Sequence, residues 1–444
     1  MPEAHPLTIT PPSFADRGEL AAFQASALRR LIARTWQRIP FYRRMWREAG
    51  VDPDSIKGIA DLARLPVVRK QDLENDLRAH PPFGSFQGDF PSVRLQASSG
   101  STGKPKPVLH TRTDWENIAT LWARRLAAQG VGPTDRVQVA FAFALFIPSF
   151  TSAEGAMKLG ALVIPTSSGA ITPSARQLEL ARDWGTTVVG TTGGYALHLA
   201  SVAREQGLDP KRDFNIRAMY HTGEPLVEET RRRIEEAWGC KSYNNYGSVE
   251  TGAPAWECAR QNGLHINEDA YLFEVVDPDT LAPVPDGEEG ALVITSLFKE
   301  AAPVIRYMIG DIAAIWSEPC GCGCGFRRLS PIRGRIDDML KIQGAPVYPT
   351  AIEATLRQFQ QLGPEFRIVV ERDNGVDRLE IRAECGHGHG VPDAELADQV
   401  KRAIKERVGC TASVALHPFG SLTLPEEVAK RTKNRYVLDL RPKG

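Results

Sequence analysis

LQASSGSTGKPKPVLHTRTDW, residues 95–115, sets a run of Ser, Thr, Gly and Lys between two apolar segments. Gly100 and Gly103 permit positive φ and a close approach of backbone to ligand. Ser98, Ser99, Ser101 and Thr102 offer hydroxyl donors, and Lys104 and Lys106 bring positive charge. That chemistry suits a phosphate, although a solvated loop between two strands would share the composition. The stretch is not a P-loop, which requires G-x-x-x-x-G-K-[ST]. Ser98 stands five residues before Gly103, where the first glycine is needed, and Pro105 follows Lys104. Proline neither supplies a magnesium-holding hydroxyl nor continues directly into a helix, which argues against a nucleoside triphosphatase of that class.

Outward from this loop the texture is α/β. VQVAFAF, ALVIPTS, TTVVGTT and IRAMYHTG have the β-branched, apolar character of strands, and ENIATLWARRLAAQ, SARQLELARDW and EETRRRIEEAW that of helices. Such alternation predicts a sheet covered on both faces. The segment VQVAFAFALFIPSF, 137–150, contains Gln138 and Pro148 and is too short to span a bilayer, so it is expected to be a buried strand with its loop. YLFEVVDPDT, GALVITSLF and AAIWSE carry strand and turn signals and predict a barrel-like β region. Residues 18–50 have the apolar spacing of a helical cap. After RGRIDD, 333–338, the order strand–helix–strand–strand–helix–strand predicts a small α+β domain. The expected division is a large domain, 1–335, and a small C-terminal domain, 336–444.

Lys plus Arg and Asp plus Glu number 54 each, a balance unlike that of a general nucleic-acid binder. The N-terminal residues lack the basic and apolar regions of a secretory signal, and a cytoplasmic protein is expected. Of seven cysteines, three crowd at 320, 322 and 324, a pattern pointing to metal ligation in a reducing compartment.

SSGSTGKPK does not stand alone. HTGEP (221–225), YNNYGSVETG (243–252), IRYMIGDIA (305–313) and RGRIDDMLKIQGAPVYPTAIE (333–353) follow it in order. Together the five stretches resemble the signatures of the adenylate-forming superfamily, the acyl-CoA synthetases and their relatives. Within it the chain is similar to the phenylacetate–CoA ligase family, from FYRRMWREAGVDPDSI and DLARLPVVRKQDL to NRYVLDLRP. The resemblance implies a two-step reaction. A carboxylate attacks the α-phosphate of ATP to give acyl-adenylate and pyrophosphate, and the thiol of coenzyme A then displaces AMP.

The same resemblance implies roles. Ser98, Ser99, Gly100, Ser101, Thr102, Gly103 and Lys104 would cradle the β- and γ-phosphates. Glu250 would help hold magnesium, a hard cation that takes carboxylate oxygens. Tyr246, with Gly247 beside it, would lie against the adenine, and Gly223, Glu224 and Pro225 would line that pocket. Asp311 would accept hydrogen bonds from both ribose hydroxyls, and Arg335 would contact ribose and phosphate. Asp337 matches the hinge about which the small domain is expected to move, and Lys341 the thioester-forming face. The adenylation lysine aligns with Lys433, with Lys430 as alternative, because Thr432 replaces the usual glycine.

Some phenylacetate–CoA ligase relatives carry a Cys…His…Cys-x-Cys-Gly set at the places of Cys258, His265, Cys320 and Cys322. The resemblance therefore implies a structural zinc site, with Cys324 the alternative to Cys322. Phe141, Phe143 and Phe146 would form an aromatic wall for the acid. The expected substrate is an aromatic acid such as phenylacetate, indoleacetate or a benzoate derivative. A carrier-protein arm is the alternative acceptor to coenzyme A, and a homodimer is compatible with the resemblance.

Overall fold

The computed structural model describes residues 7–97, 105–342, 345–373, 376–386, 393–422 and 436–441. Ser98 to Lys104, Lys430 and Lys433 lie outside the described residues. Backbone proximity divides the chain into two compact units. One comprises residues 1–135, 143–163 and 244–332; the other comprises 136–142, 164–243 and 333–444.

The first unit begins with the expected helical segment, Arg17–Arg38 and Pro40–Glu48. Asp16 caps the first helix by accepting from the Glu19 N–H, and Pro40 opens the second, where its missing N–H costs nothing. The strands on either side of the Gly-rich stretch, Ser92–Ala97 and Pro107–Thr111, pair antiparallel with Ala97 opposite Pro107 and Arg94 opposite His110. Thr111 then caps the helix Arg112–Ala128 through a reciprocal box with Asp114. The region 271–313 forms three antiparallel strands, Tyr271–Val276, Gly290–Ser296 and Tyr307–Ala313. The segment 137–150 departs from the expected strand-and-loop. Its strand ends at Val139, and a helix starts at Ile147 with Pro148 in its first turn, a position that proline favours.

In the second unit the strands Arg136–Val139, Val188–Gly190 and Ala218–His221 run parallel. The helices Ser174–Asp183, Gly193–Glu205 and Glu228–Trp238 accompany them, and Val189, Ala196, Leu199, Met219, Ile234 and Trp238 share one core. Burial on both faces is why these strands read as continuous apolar runs. Residues beyond 340 have a core of their own, including Ile352, Phe366, Ile368, Ile381, Val400 and Ile404. Their sheet runs in the order Ser413–His417, Val376–Cys385, Leu362–Asp373, Val437–Asp439, with the helices Pro349–Leu356 and Ala394–Val408. The α/β fold with a smaller α+β C-terminal region is the class expected from the sequence.

Candidate active site

The first unit brings acidic and basic groups together around the YGSVETG turn. This turn depends on its glycines. A Cβ at Gly247 would lie 2.1 Å from the Gly252 carbonyl oxygen, and Gly252 has φ +82. Glu250, carried by the turn, is met by the Lys106 ammonium at 2.7 Å, and both side chains are largely buried. Burial is the largest single influence and pushes the Glu250 carboxyl up, but the charge and hydrogen bond of Lys106, together with hydrogen bonds from the Glu250 backbone and Ser248, outweigh it and hold the group down at about 2. Lys106 Nζ also lies 3.5 Å from the Tyr307 hydroxyl. A second buried cation, Lys299, donates to the Glu250 carbonyl at 3.1 Å. Burial lowers its ammonium to about 8, against the opposing pull of Asp114 and Glu250. Tyr246 and Asp311 meet directly, the hydroxyl donating to Oδ2 at 2.6 Å.

Sequence reasoning missed Lys299 and read Lys106 only as one of two positive charges in the Gly-rich stretch, assigning the phosphate role to Lys104. Strand alternation was the available signal for burial of Lys106. Lys106, Val108 and His110 lie on one side of the Pro107–Thr111 strand, and all three are buried.

In the second unit the HTGEP turn is held by His221. Its Nδ1 faces the Thr191 carbonyl at 2.9 Å and its Nε2 faces Ser242 Oγ at 2.8 Å. A carbonyl only accepts, so Nδ1 carries the proton and Nε2 takes the serine hydroxyl. Burial pulls this ring down to about 4, keeping it neutral. Gly223 has φ +90, and Glu224 Oε1 accepts from the Gly194 N–H at 3.1 Å. Arg335 pairs with Asp337 at 2.9 Å; Asp337 and Lys341 are exposed. Two members of the expected phenylalanine wall make aromatic contacts. Phe141 packs on Tyr220 with ring centroids 6.0 Å apart in this unit, whereas in the first unit Phe143 meets Phe150 edge-on at 5.1 Å.

The first unit also gathers Cys258, His265, Cys320 and Cys322, whose ligand atoms all lie within 4.8 Å of one another. Cys258 and Cys320 sulfurs are 3.8 Å apart, and Cys322 Sγ is 3.3 Å from His265 Nε2. His265 Nδ1 faces the Phe326 carbonyl at 3.2 Å, which assigns the proton to Nδ1 and leaves the Nε2 lone pair toward the sulfurs. Ligands about 2.3 Å from a tetrahedral zinc stand about 3.8 Å apart, so the donor set and its spacing fit that ion.

This fold, with its two sets of signature turns, defines an AMP-binding enzyme. The AMP-binding enzyme family model matches residues 91–298, and that of the AMP-binding enzyme C-terminal domain matches residues 344–441. The phenylacetate–coenzyme A ligase of Thermus thermophilus is 39% identical over 445 residues, covering 96% of this chain and 97% of its own. That of Escherichia coli is 34% identical and covers 95% of both chains. Among solved structures, 2-hydroxyisobutyryl-CoA ligase in the postadenylation state with R3-HIB-AMP superposes with a TM-score of 0.89. It is 32% identical and covers 96% of this chain and 90% of its own. The chain belongs to the phenylacetate–coenzyme A ligase family of adenylate-forming enzymes.

Proposed function

We propose that the chain is an AMP-forming acid–thiol ligase that activates an aromatic carboxylate with ATP and transfers the acyl group to coenzyme A. The observation that carries this reading is 34–39% identity to phenylacetate–coenzyme A ligases over nearly the full length, in a chain whose Glu250 and Asp311 are each engaged by a buried partner. In the first step a carboxylate oxygen bonds to the α-phosphorus and the bond to the pyrophosphate oxygen breaks. In the second, the coenzyme A sulfur bonds to the acyl carbon, its proton leaves, and AMP departs. Two anions must meet in the first step, so charge neutralisation is the main task.

Lys106 and Lys299 bring positive charge to Glu250, and Ser98 to Lys104 are the phosphate-binding candidates. Glu250 is the candidate for magnesium, which would supply further neutralisation of phosphate charge. A carboxylate held ionised and buried is suited to a hard cation, with Lys106 as its counterion. Asp311 is assigned the ribose hydroxyls, Tyr246 the adenine, and Lys433 the lysine of adenylation. Asp337 is the candidate hinge of a small domain starting near 336, and Lys341 serves thioester formation. The four Cys and His ligands would hold zinc as a structural ion, because four protein ligands leave no open position. None of the described helices is long and apolar enough to cross a membrane, and we place the enzyme in the cytoplasm with its ATP and coenzyme A.

A second reading of the acid is favoured by the structural similarity to 2-hydroxyisobutyryl-CoA ligase: a small hydroxylated aliphatic acid. The test is pyrophosphate release with a panel of arylacetic, benzoic and short hydroxy acids, with and without coenzyme A. Expected are turnover of aromatic acids, coenzyme-A-dependent AMP release, and a loss of several orders of magnitude in adenylation for Lys433→Met. Turnover confined to aliphatic acids would overturn the aromatic assignment, and activity requiring an acyl-carrier protein would overturn the acceptor.

A further inference from the structure

His110 lies two residues along the inward face from Val108 and four from Lys106. Its side chain has no solvent exposure. Among the described residues, neither ring nitrogen has a hydrogen-bond partner, and solvent reaches neither. An imidazole always carries at least one N–H, so at least one donor is left unmade. Such a group costs about 1–3 kcal/mol, and buried polar groups in folded proteins are ordinarily paired. Bulk water cannot supply the missing partner.

The surroundings show what kind of ligand the ring could meet. Trp115 presents to it edge-on, with ring centroids 5.6 Å apart. Arg94, opposite His110 across the hairpin, lies 4.3 Å from the Trp115 ring centre and 3.9 Å from that of Phe150. Phe150 in turn packs on Phe143, a member of the expected acid-binding wall. His110 is therefore a buried polar group at one end of a chain of packed aromatic and cationic side chains that reaches Phe143. Burial, reinforced by the positive charges of Lys299 and Arg94, holds the ring well below its usual pKa. The ring is thus neutral, with one donor and one acceptor, and a neutral hydroxyl complements both.

We infer that His110 is a specificity-determining residue of the acid pocket, taking a neutral hydrogen-bonding group, foremost a hydroxyl, carried by the carboxylic acid. The inference rests on the acid–thiol ligase reading and narrows its substrate class. A site built to hydrogen-bond a substrate hydroxyl discriminates strongly against the analogue that lacks it, because its own polar groups are then left unpaired.

The experiment compares matched acids by pyrophosphate release: phenylacetate against its 2-, 3- and 4-hydroxy derivatives, and isobutyrate against 2-hydroxyisobutyrate. Wild type is expected to favour the hydroxylated member of at least one pair by about 10- to 100-fold in kcat/KM, the range of one well-made hydrogen bond. His110→Phe should bring that ratio toward one. His110→Gln, which keeps a donor and an acceptor, should retain part of it, and melting curves of both variants would report their folding. A wild-type preference for the unhydroxylated acid in every pair overturns the inference, as does an unchanged ratio in His110→Phe. Either result leaves the ligase reading intact. Absence of ATP–pyrophosphate exchange with every acid overturns that reading, and this inference with it.

Discussion

The Cys258–His265–Cys320–Cys322 cluster and the Lys106–Glu250 pair lie in the same unit, yet they are put together on opposite principles. In the cluster, four soft donors converge on one another, and His265 is oriented by the Phe326 carbonyl behind it. Each group's natural partner is an ion at the centre, and a tetrahedral ion would be fully enclosed. In the pair, a carboxylate and an ammonium are matched one to one in a buried place, with a second cation, Lys299, close by. Lys299 is met in turn by the charge of Asp114 as well as that of Glu250, so two cations face two carboxylates rather than converging on one centre. The comparison teaches that a set of like donors asks for an ion, whereas a set of opposite charges is already matched within the protein and must be re-partnered by any ligand it receives.

The largest effect should come from opening the closed set. Cys322→Ser, or prolonged exposure of wild type to a strong zinc chelator, should lower the melting temperature by roughly 10–20 °C, the shift that about 5 kcal/mol makes in a large domain. Elemental analysis should find about one zinc per chain in wild type and much less in the variant. A wild-type protein that holds no zinc and is indifferent to chelation would reduce the cluster to packed thiols.

Next in size is the pair. Removing one partner of a buried ion pair costs about 3–5 kcal/mol because the other charge is stranded, so Lys106→Met and Glu250→Gln should each destabilise the fold. Removing both should restore most of that stability. Adenylate formation should not return with it, remaining down by about 10²–10³-fold; recovery of activity along with stability would make the pair structural, like the cluster. The pH dependence carries a sign. Glu250 has its folded pKa, about 2, below its ordinary value of 4.5, so its stabilisation is complete above 4.5 and lost as pH falls toward 2. Without Lys106, burial raises the same carboxyl, and protonation then favours the folded state. The stability gap between wild type and Lys106→Met should therefore narrow as pH drops from 7 to 4. A gap that stays constant over that range would show that Glu250 is not the group affected.

Much of this contrast was legible in the sequence, for physical reasons that differ between its two halves. The cysteines announce themselves by spacing, since Cys-x-Cys leaves few uses other than a metal. Glu250 sits in a turn whose glycines are demanded by backbone approach, as Gly247 shows, and Asp311 follows Gly310, at φ +90, within the strand Tyr307–Ala313. The partner of Glu250 was not legible, because a pairing across 144 positions leaves no local mark. Lys106 could be found only by counting alternation out from the strand Pro107–Thr111. His110 was missed for the same reason. The helix at Ile147 was hidden because the apolar run before it carries no 3.6-residue period, and Pro148, in the first turn, marks where it begins.

The smallest expected effect tests whether the contrast extends to Asp311. Its Oδ2 accepts from the Tyr246 hydroxyl at 2.6 Å, and both side chains are buried. A carboxylate has about four acceptor positions, so one bond from the tyrosine fixes the plane of a group that can take more than one donor. Tyr246→Phe removes the orienting donor and keeps the ring. If orientation is the hydroxyl's role, the KM for ATP should rise about 3- to 10-fold with kcat nearly unchanged, the size of one modest hydrogen bond. If the hydroxyl instead competes with the nucleotide for Oδ2, its removal should lower KM. A KM below that of wild type would therefore place Tyr246 and Asp311 with the one-to-one matched groups that a ligand must displace, and a rise would make the tyrosine part of the nucleotide's own support.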